Sequence, residues 1–176
     1  MALEKVNSPK DLKNLKREEM VELAADIRKA LLNRLTNYPK GGHVGPNFGV
    51  VEMIIALHYV FNSPIDKIVF DVSHQAYPHK ILTGRKDGFL YEDKFKTVNG
   101  YTDQDESEHD FFRVGHTSTS VSLATGLAKA RDVKGEKGNV IAIIGDGSLS
   151  GGEALEGLDF AGELKTNFII IANDND

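Results

Sequence analysis

Cysteine is absent from the chain, which excludes disulfides and thiolate metal sites and fits a cytoplasmic protein. A basic excess is absent too. The 21 Lys and Arg are outnumbered by 26 Asp and Glu, and the net charge of −5 offers no electrostatic footprint for nucleic acid. No apolar run approaches the roughly 18 residues of a membrane span, so no membrane partner is expected. The stretch from Met1 to Lys16 is charged rather than built as a signal peptide. Internal repeats and low-complexity segments are also missing. What is there is a chain of 176 residues with 40% hydrophobic content, enough for one sizeable core, and a single domain is the default.

The organising stretch runs from Asn139 to Asp176. It reads as an apolar strand (Val140 to Ile144), a glycine-rich turn (Gly145-Asp146-Gly147-Ser148-Leu149-Ser150-Gly151-Gly152), a helix (Glu153 to Leu164) and a second strand (Phe168 to Ala172). Two short β-branched runs bounded by Gly and Asn fit buried parallel strands, and the piece between them suits a crossover helix. In such sheets ligands collect beyond the carboxyl ends of the strands. Asp146 and Asn175 each follow a strand end, so a carboxylate and an amide oxygen would face one crevice. Mg²⁺ takes hard oxygen ligands and shares its shell with waters and substrate phosphates, so this pair supplies part of such a shell. The glycines let backbone approach a diphosphate, and the helix start offers free N–H groups. Gly-Asp-Gly alone is a common turn; its pairing with Asn173-Asp174-Asn175 makes it specific.

Earlier in the chain, Ser8-Pro9-Lys10-Asp11 reads as a turn. Arg17 to Thr36 reads as an amphipathic helix with Met20, Leu23, Ala24, Ile27, Leu31, Leu32 and Leu35 on its apolar face. Pro39 and Gly41-Gly42 open a loop, and Asn47 suits the cap of a buried helix from Phe48 to Phe61. His58 on that helix reads as a core histidine. A short strand, Lys67 to Asp71, leads to Val72-Ser73-His74-Gln75-Ala76-Tyr77-Pro78-His79-Lys80. His74 thus follows a strand end, while His79 belongs to a Pro-started helix and reads as structural. Asp103 to Asp110 reads as a solvated acidic loop, since its spacing matches no ligand set. Gly115-His116-Thr117-Ser118-Thr119-Ser120 opens a helix from Val121 to Val133, and its small hydroxyls suit phosphate contact and ordinary capping equally.

Four motifs, Gly41-Gly42-His43, Asp71 to Lys80, Gly115 to Ser120, and Gly145-Asp146-Gly147 with Asn173-Asp174-Asn175, occur in the order found in 1-deoxy-D-xylulose-5-phosphate synthases. The resemblance runs over nearly the whole chain, and His74-Gln75-Ala76-Tyr77-Pro78-His79-Lys80 is specific to that family within the transketolase group. It implies an α/β fold, a mostly parallel sheet flanked by helices, of the truncated thiamine-diphosphate-binding kind. It also implies a transferase that condenses pyruvate with glyceraldehyde 3-phosphate and releases CO₂, supplying isoprenoid and thiamine precursors. By resemblance Asp146 and Asn175 hold Mg²⁺, and Gly147 and Ser148 offer backbone N–H groups to the diphosphate. His74, Gly115, His116 and Thr117 are cofactor contacts, and His43 is the active-site histidine. Imidazole suits that role because it titrates near neutrality.

The sequence departs from the family after His43, where it reads Val44-Gly45-Pro46-Asn47-Phe48-Gly49. It departs again after Ser150, where the helix is more acidic than usual. Residues 1–176 are expected to form one incomplete N-terminal diphosphate- and Mg-binding domain, with the pyrimidine-binding and C-terminal domains absent. On that expectation the chain alone is inactive. It works as part of a homodimer, or beside a second subunit that carries the pyrimidine-binding domain. Two other readings stay open: a transketolase-like paralogue with a different ketose or 2-oxo acid donor, and a catalytically silent phosphate-binding fragment.

Overall fold

The computed structural model describes residues 1–174. The chain passes alternately through two compact units, one made of residues 1–62 and 74–100, the other of residues 63–73 and the chain from Tyr101 onward. Among the described residues no helix is long and apolar enough to cross a membrane.

The first unit is helical. A 3₁₀ turn (Ala2–Lys5) precedes α1 (Pro9–Leu12) and the long α2 (Arg17–Asn37). Glu18 and Glu19 favour the N-terminal end of α2, and Tyr38 ends it just ahead of Pro39. Its inward stripe is Leu23, Ala24, Ile27, Ala30 and Leu31, with Asp26 and Arg34 buried beside it. Leu32, expected on that stripe, is exposed. Two turns of buried Leu and Ile already decide the face, and Leu32 falls outside the arc they span. α3 (Val44–Phe48) and α4 (Val51–Val60) follow, then α5 (Tyr77–Lys80) and α6 (Asp87–Leu90), with a 3₁₀ stretch at Glu92–Thr97. The helix expected from Phe48 to Phe61 is therefore interrupted at Gly49 and Val50. Asn47 is no cap for it, because the cap position of α3 belongs to His43 and Asn47 lies inside that helix. His58 and His79 are both fully buried and stack on one another, with Nε2 of His58 2.9 Å from Nδ1 of His79.

The second unit is an α/β layer. β1 (Lys67–Phe70), β2 (Val140–Gly145) and β3 (Ile169–Asn173) form a parallel sheet in the order β1-β2-β3. Lys67 pairs with Val140, and Gly145 pairs with Asn173. β2 is the central strand, and Val140 to Ile144 are all fully buried. An unbroken apolar run, rather than an alternating one, is what a strand covered on both faces needs. Burying each Val or Ile side chain among them is worth about 1.5–3 kcal/mol. Between β1 and β2 comes α7 (Ser120–Lys134), which ends at Gly135 with φ 66°. A left-handed residue at this place closes a helix, and glycine adopts it without steric cost. α8 (Asp146–Leu149) and α9 (Gly152–Leu164) connect β2 to β3. Ala124 and Ala128 of α7 pack on Val69, Val140 and Ala142, while Ala154 of α9 packs with Val121 and Ile144. Parallel sheet and flanking helices are as expected.

The acidic loop is not simply solvated. Asp103 and Asp110 are buried, the Asp110 carboxylate accepts the Asp103 N–H at 2.9 Å, and Arg113 donates to Asp103 at 2.7 Å. Internal partners take the place of water there, and a charge count cannot foresee them.

Candidate functional site

The expected site residues fall into two clusters, one in each unit. In the first, His43 ends the loop after α2 and occupies the cap position of the one-turn α3 without a side-chain cap hydrogen bond, and it is exposed. His74 is half-buried. Their rings meet edge to face, with centroids 5.1 Å apart and an interplanar angle of 69°. The link between them is Asn47, which is fully buried. Its amide nitrogen donates to the carbonyls of His43 (2.6 Å) and His74 (2.8 Å), and its amide oxygen accepts the Tyr77 N–H at 2.9 Å. One side chain therefore satisfies three backbone groups and sets the spacing of both histidines. Leaving such groups unpaired would cost about 1–3 kcal/mol each.

The second cluster lies at the carboxyl ends of β1 and β2. β1 gives way to Asp71, Val72 and Ser73, and the last two have left-handed backbones, φ 55° and 70°. That conformation is strained for residues with a Cβ, most of all for β-branched Val72. Hydrogen bonds hold it in place. The Asp71 N–H donates to the Ile143 carbonyl of β2, and Ser73 Oγ donates to the Val114 carbonyl while accepting the Thr102 N–H, each at 2.8–2.9 Å. Asp71 itself is fully buried, and its two carboxylate oxygens accept the Ser118 and Ser120 N–H groups, both at 2.9 Å.

From Ser118 the connection runs on to the turn after β2. Ser118 Oγ donates to the Ser148 carbonyl at 2.8 Å, and Thr117 Oγ1 donates to Ser148 Oγ at 2.7 Å. Two segments singled out from the sequence, Gly115-His116-Thr117 and Asp146-Gly147-Ser148, are thereby tied together. Gly151 makes the approach possible, since a Cβ there would lie 2.0 Å from Ser118 Oγ. Gly115 and Gly147 are different. A Cβ at either meets nothing within 4 Å, and neither has a positive φ, so the fold by itself makes no demand for glycine at these two places.

Asp146 is the first residue past β2 and the first of α8, and it is exposed. Gly115, His116, Thr117 and Gly147 are exposed as well, and Ser148 is half-buried. His116 keeps Nδ1 2.8 Å from its neighbour's carbonyl, Thr117 O. The accessible groups in this second cluster are thus hydroxyls, backbone amides of a first helical turn, one imidazole and one carboxylate. Donors of that kind suit an anion such as a diphosphate, and the carboxylate suits a divalent cation bound with it. Among the described residues no three His, Asp or Glu side chains gather as a metal cage. Asn175, the second expected metal ligand, lies outside the described residues.

Residues 3–176 match the family model described as 1-deoxy-D-xylulose-5-phosphate synthase. The chain belongs to this family. It is 52% identical over 176 residues to the 1-deoxy-D-xylulose-5-phosphate synthase of Dictyoglomus thermophilum, covering 100% of this chain and 28% of that relative. It is 50% identical over 174 residues to the synthase of Caldanaerobacter subterraneus subsp. tengcongensis (99% and 28% covered), and 49% identical over 176 residues to that of a Geobacillus species (100% and 28%). The chain therefore spans about 28% of the length of these curated relatives. The resemblance carried by the four motifs is borne out.

The 1-deoxy-D-xylulose-5-phosphate synthase motifs divide between the units. The Gly41-Gly42-His43 motif and the stretch from His74 to Lys80 lie in the first; Gly115 to Ser120 and Gly145-Asp146-Gly147 lie in the second. Three organising residues were not singled out from the sequence: Asn47 as a cross-link, Asp71 and Ser118. For Asp71 a signal existed, since a carboxylate directly after a parallel strand occupies the end where ligands and helix starts collect. For Asn47 there was none, because two of its three partners, His74 and Tyr77, are brought to it only by folding.

Proposed function

We propose that this chain is the N-terminal, diphosphate- and Mg²⁺-binding part of an enzyme that condenses pyruvate with glyceraldehyde 3-phosphate. The products are 1-deoxy-D-xylulose 5-phosphate and CO₂, a supply of isoprenoid and thiamine precursors. The observation that carries the reading is the match over residues 3–176, on which both cofactor segments meet at Ser148. Residues 1–176 act as one diphosphate-binding domain. The protein works in the cytoplasm as a homodimer, or with a second subunit that brings the pyrimidine-binding domain.

In this reading Asp146 and Asn175 give Mg²⁺ two oxygen ligands and leave the rest of its shell to diphosphate and water. Gly147 and Ser148 offer backbone N–H groups to the diphosphate oxygens, and Gly115 and Gly147 let it approach the backbone. His74, His116 and Thr117 fix its orientation by further polar contacts. Thiamine diphosphate, when bound, supplies the electron sink for the carbanion chemistry. His43 contacts substrate or moves a proton at the reacting carbon, a task suited to an imidazole.

The test is Asp146→Ala in the complete enzyme assembly. Removing the one charged ligand proposed for the ion should abolish Mg²⁺-dependent binding of thiamine diphosphate, read by calorimetric titration. Equal affinities in wild type and variant would sink the site assignment.

A further inference from the structure

α7 starts without a side-chain cap of its own. Thr119 stands at its cap position and makes no capping hydrogen bond. The first N–H groups of any helix lack intrahelical partners, and an Asp or Ser oxygen at the cap ordinarily takes one of them. Here a carboxylate from a distant part of the chain takes that role. Asp71, fully buried at the end of β1, accepts the N–H groups of Ser118 and Ser120 with its two oxygens, one each. A negative charge at a helix N-terminus also gains from the aligned peptide dipoles.

The consequence reaches beyond the helix. Asp71 holds the Ser118 N–H while Ser118 Oγ holds the Ser148 carbonyl, and Thr117 Oγ1 meets Ser148 Oγ. Ser118 carries a left-handed backbone, φ 69°, which aims its hydroxyl at the turn after β2. The contact leaves no room for a Cβ at Gly151. From β1 to the Asp146-Gly147-Ser148 turn there is thus an unbroken path of hydrogen bonds through one buried carboxylate.

We infer that Asp71 is a positioning residue for cofactor binding: through Ser118 it sets Thr117 and Ser148 at the spacing that receives an anionic diphosphate. This inference rests on the proposed function above and assigns Asp71 no contact with cofactor or substrate. The chemical step is therefore expected to survive its loss, while cofactor affinity is not. Asn at this position keeps the size of the side chain but replaces one acceptor oxygen by a donor nitrogen, which faces an N–H instead of accepting it.

The experiment uses the full-length holoenzyme and its Asp71→Asn variant, with thiamine diphosphate and Mg²⁺ titrated both by calorimetry and by steady-state turnover. Asp71→Asn is expected to raise the cofactor Kd and KM by about tenfold or more, the size of effect that one lost hydrogen bond to a charged group produces. kcat at saturating cofactor should stay close to wild type. A folded Asp71→Asn protein with wild-type cofactor KM overturns the inference, and so does a loss of kcat at unchanged KM. Should Asp71→Asn fail to fold, Ser118→Ala breaks the same path at its last hydroxyl and should weaken cofactor binding in the same direction; wild-type affinity there overturns the inference too. A wild-type enzyme that binds no thiamine diphosphate removes the functional reading and this inference with it. A wild type that binds, beside variants that bind equally well, removes this inference alone.

Discussion

Asn47 in the helical unit and Asp71 in the α/β unit do the same work with opposite polarity. Each is fully buried and ties backbone groups from separate segments into one local arrangement. Asn47 meets two carbonyls and one N–H, so it must be an amide, able to donate and accept at once. Asp71 meets two N–H groups at a helix start, so a carboxylate, which only accepts, is the matching choice. The identity of a buried cross-linking residue follows from what its backbone partners lack. The two regions also differ in what they hold: two histidines in ring contact in one, hydroxyls, a carboxylate and the single imidazole of His116 in the other. On the proposed function the first moves protons and the second binds an anion.

The strongest way to break that division is to exchange the effects. His43→Ala in the complete enzyme should lower turnover by roughly 10²–10⁴-fold, the range for a lost acid–base group, with cofactor affinity nearly unchanged. Steady-state kinetics beside calorimetry will read both. A variant that loses cofactor instead would move His43 into the diphosphate shell, and the two regions would no longer differ in role.

A smaller effect is expected at Asn47. Asn47→Leu fills much the same volume but leaves the His43 and His74 carbonyls and the Tyr77 N–H without their partner. At about 1–3 kcal/mol for each unsatisfied group, softened by relaxation and entering water, a loss of about 3–5 kcal/mol is expected in chemical denaturation. Turnover should fall as well, because both histidines lose their spacing. A stability change within about 0.5 kcal/mol, the size of an ordinary surface substitution, would show that the amide does not carry the region.

The smallest effect sharpens a second contrast, between helices capped from nearby and from afar. At α1 the Asp11 carboxylate reaches back to the Asn7 and Ser8 N–H groups, both at 2.8 Å. Those N–H groups, Asn7 first, hold its carboxyl below the ordinary aspartate range, with the Ser8 hydroxyl and Lys86 adding to the effect against a partial burial that opposes it. A carboxylate whose folded-state pKa is depressed stabilises the protein above its unfolded value, near 3.9, and that contribution is lost as the pH falls through the folded value. Asp11→Ala should therefore cost about 1 kcal/mol at neutral pH. Melting curves of variant and wild type should converge in acid below that window. A gap that persists unchanged at low pH would mean that the charge is not what matters.

This contrast also marks what a reader of the sequence could see. Ser8-Pro9-Lys10-Asp11 announced a chain reversal because every hydrogen bond in it is local, although the reading stopped at a turn where a short helix forms. The parallel sheet was legible for a similar reason: Val140 to Ile144 is a continuous apolar run, which burial on both faces demands, and Ile169 to Ile171 is a second such run although its strand is only half-buried. Asp146 and Gly147 were legible as candidates for a site because motif and strand end coincide. Asn47 was misread as a cap, since the rule for caps is local and its partners at His74 and Tyr77 are not. Asp103 and Asp110 were misread as solvated because the partners shown, each other and Arg113, lie seven and ten positions away, in a stretch that no helix or strand period marks. Long-range hydrogen bonds write no periodicity into a sequence.

The remote cap on α7 has a further consequence, for the order in which the chain can assemble. α1 can complete its first turn from residues already at hand. α7 cannot, because Asp71 lies 47 and 49 positions before the groups it accepts from. Bringing such distant residues together carries a loop-closure entropy that must be met before the contact returns anything. The start of α7 can therefore lock only after β1 has docked on β2 and carried Asp71 into place. Thr117 and Ser148 acquire their spacing at that moment and no earlier, so the proposed diphosphate site is a late product of folding, while the helix behind it can be an early one.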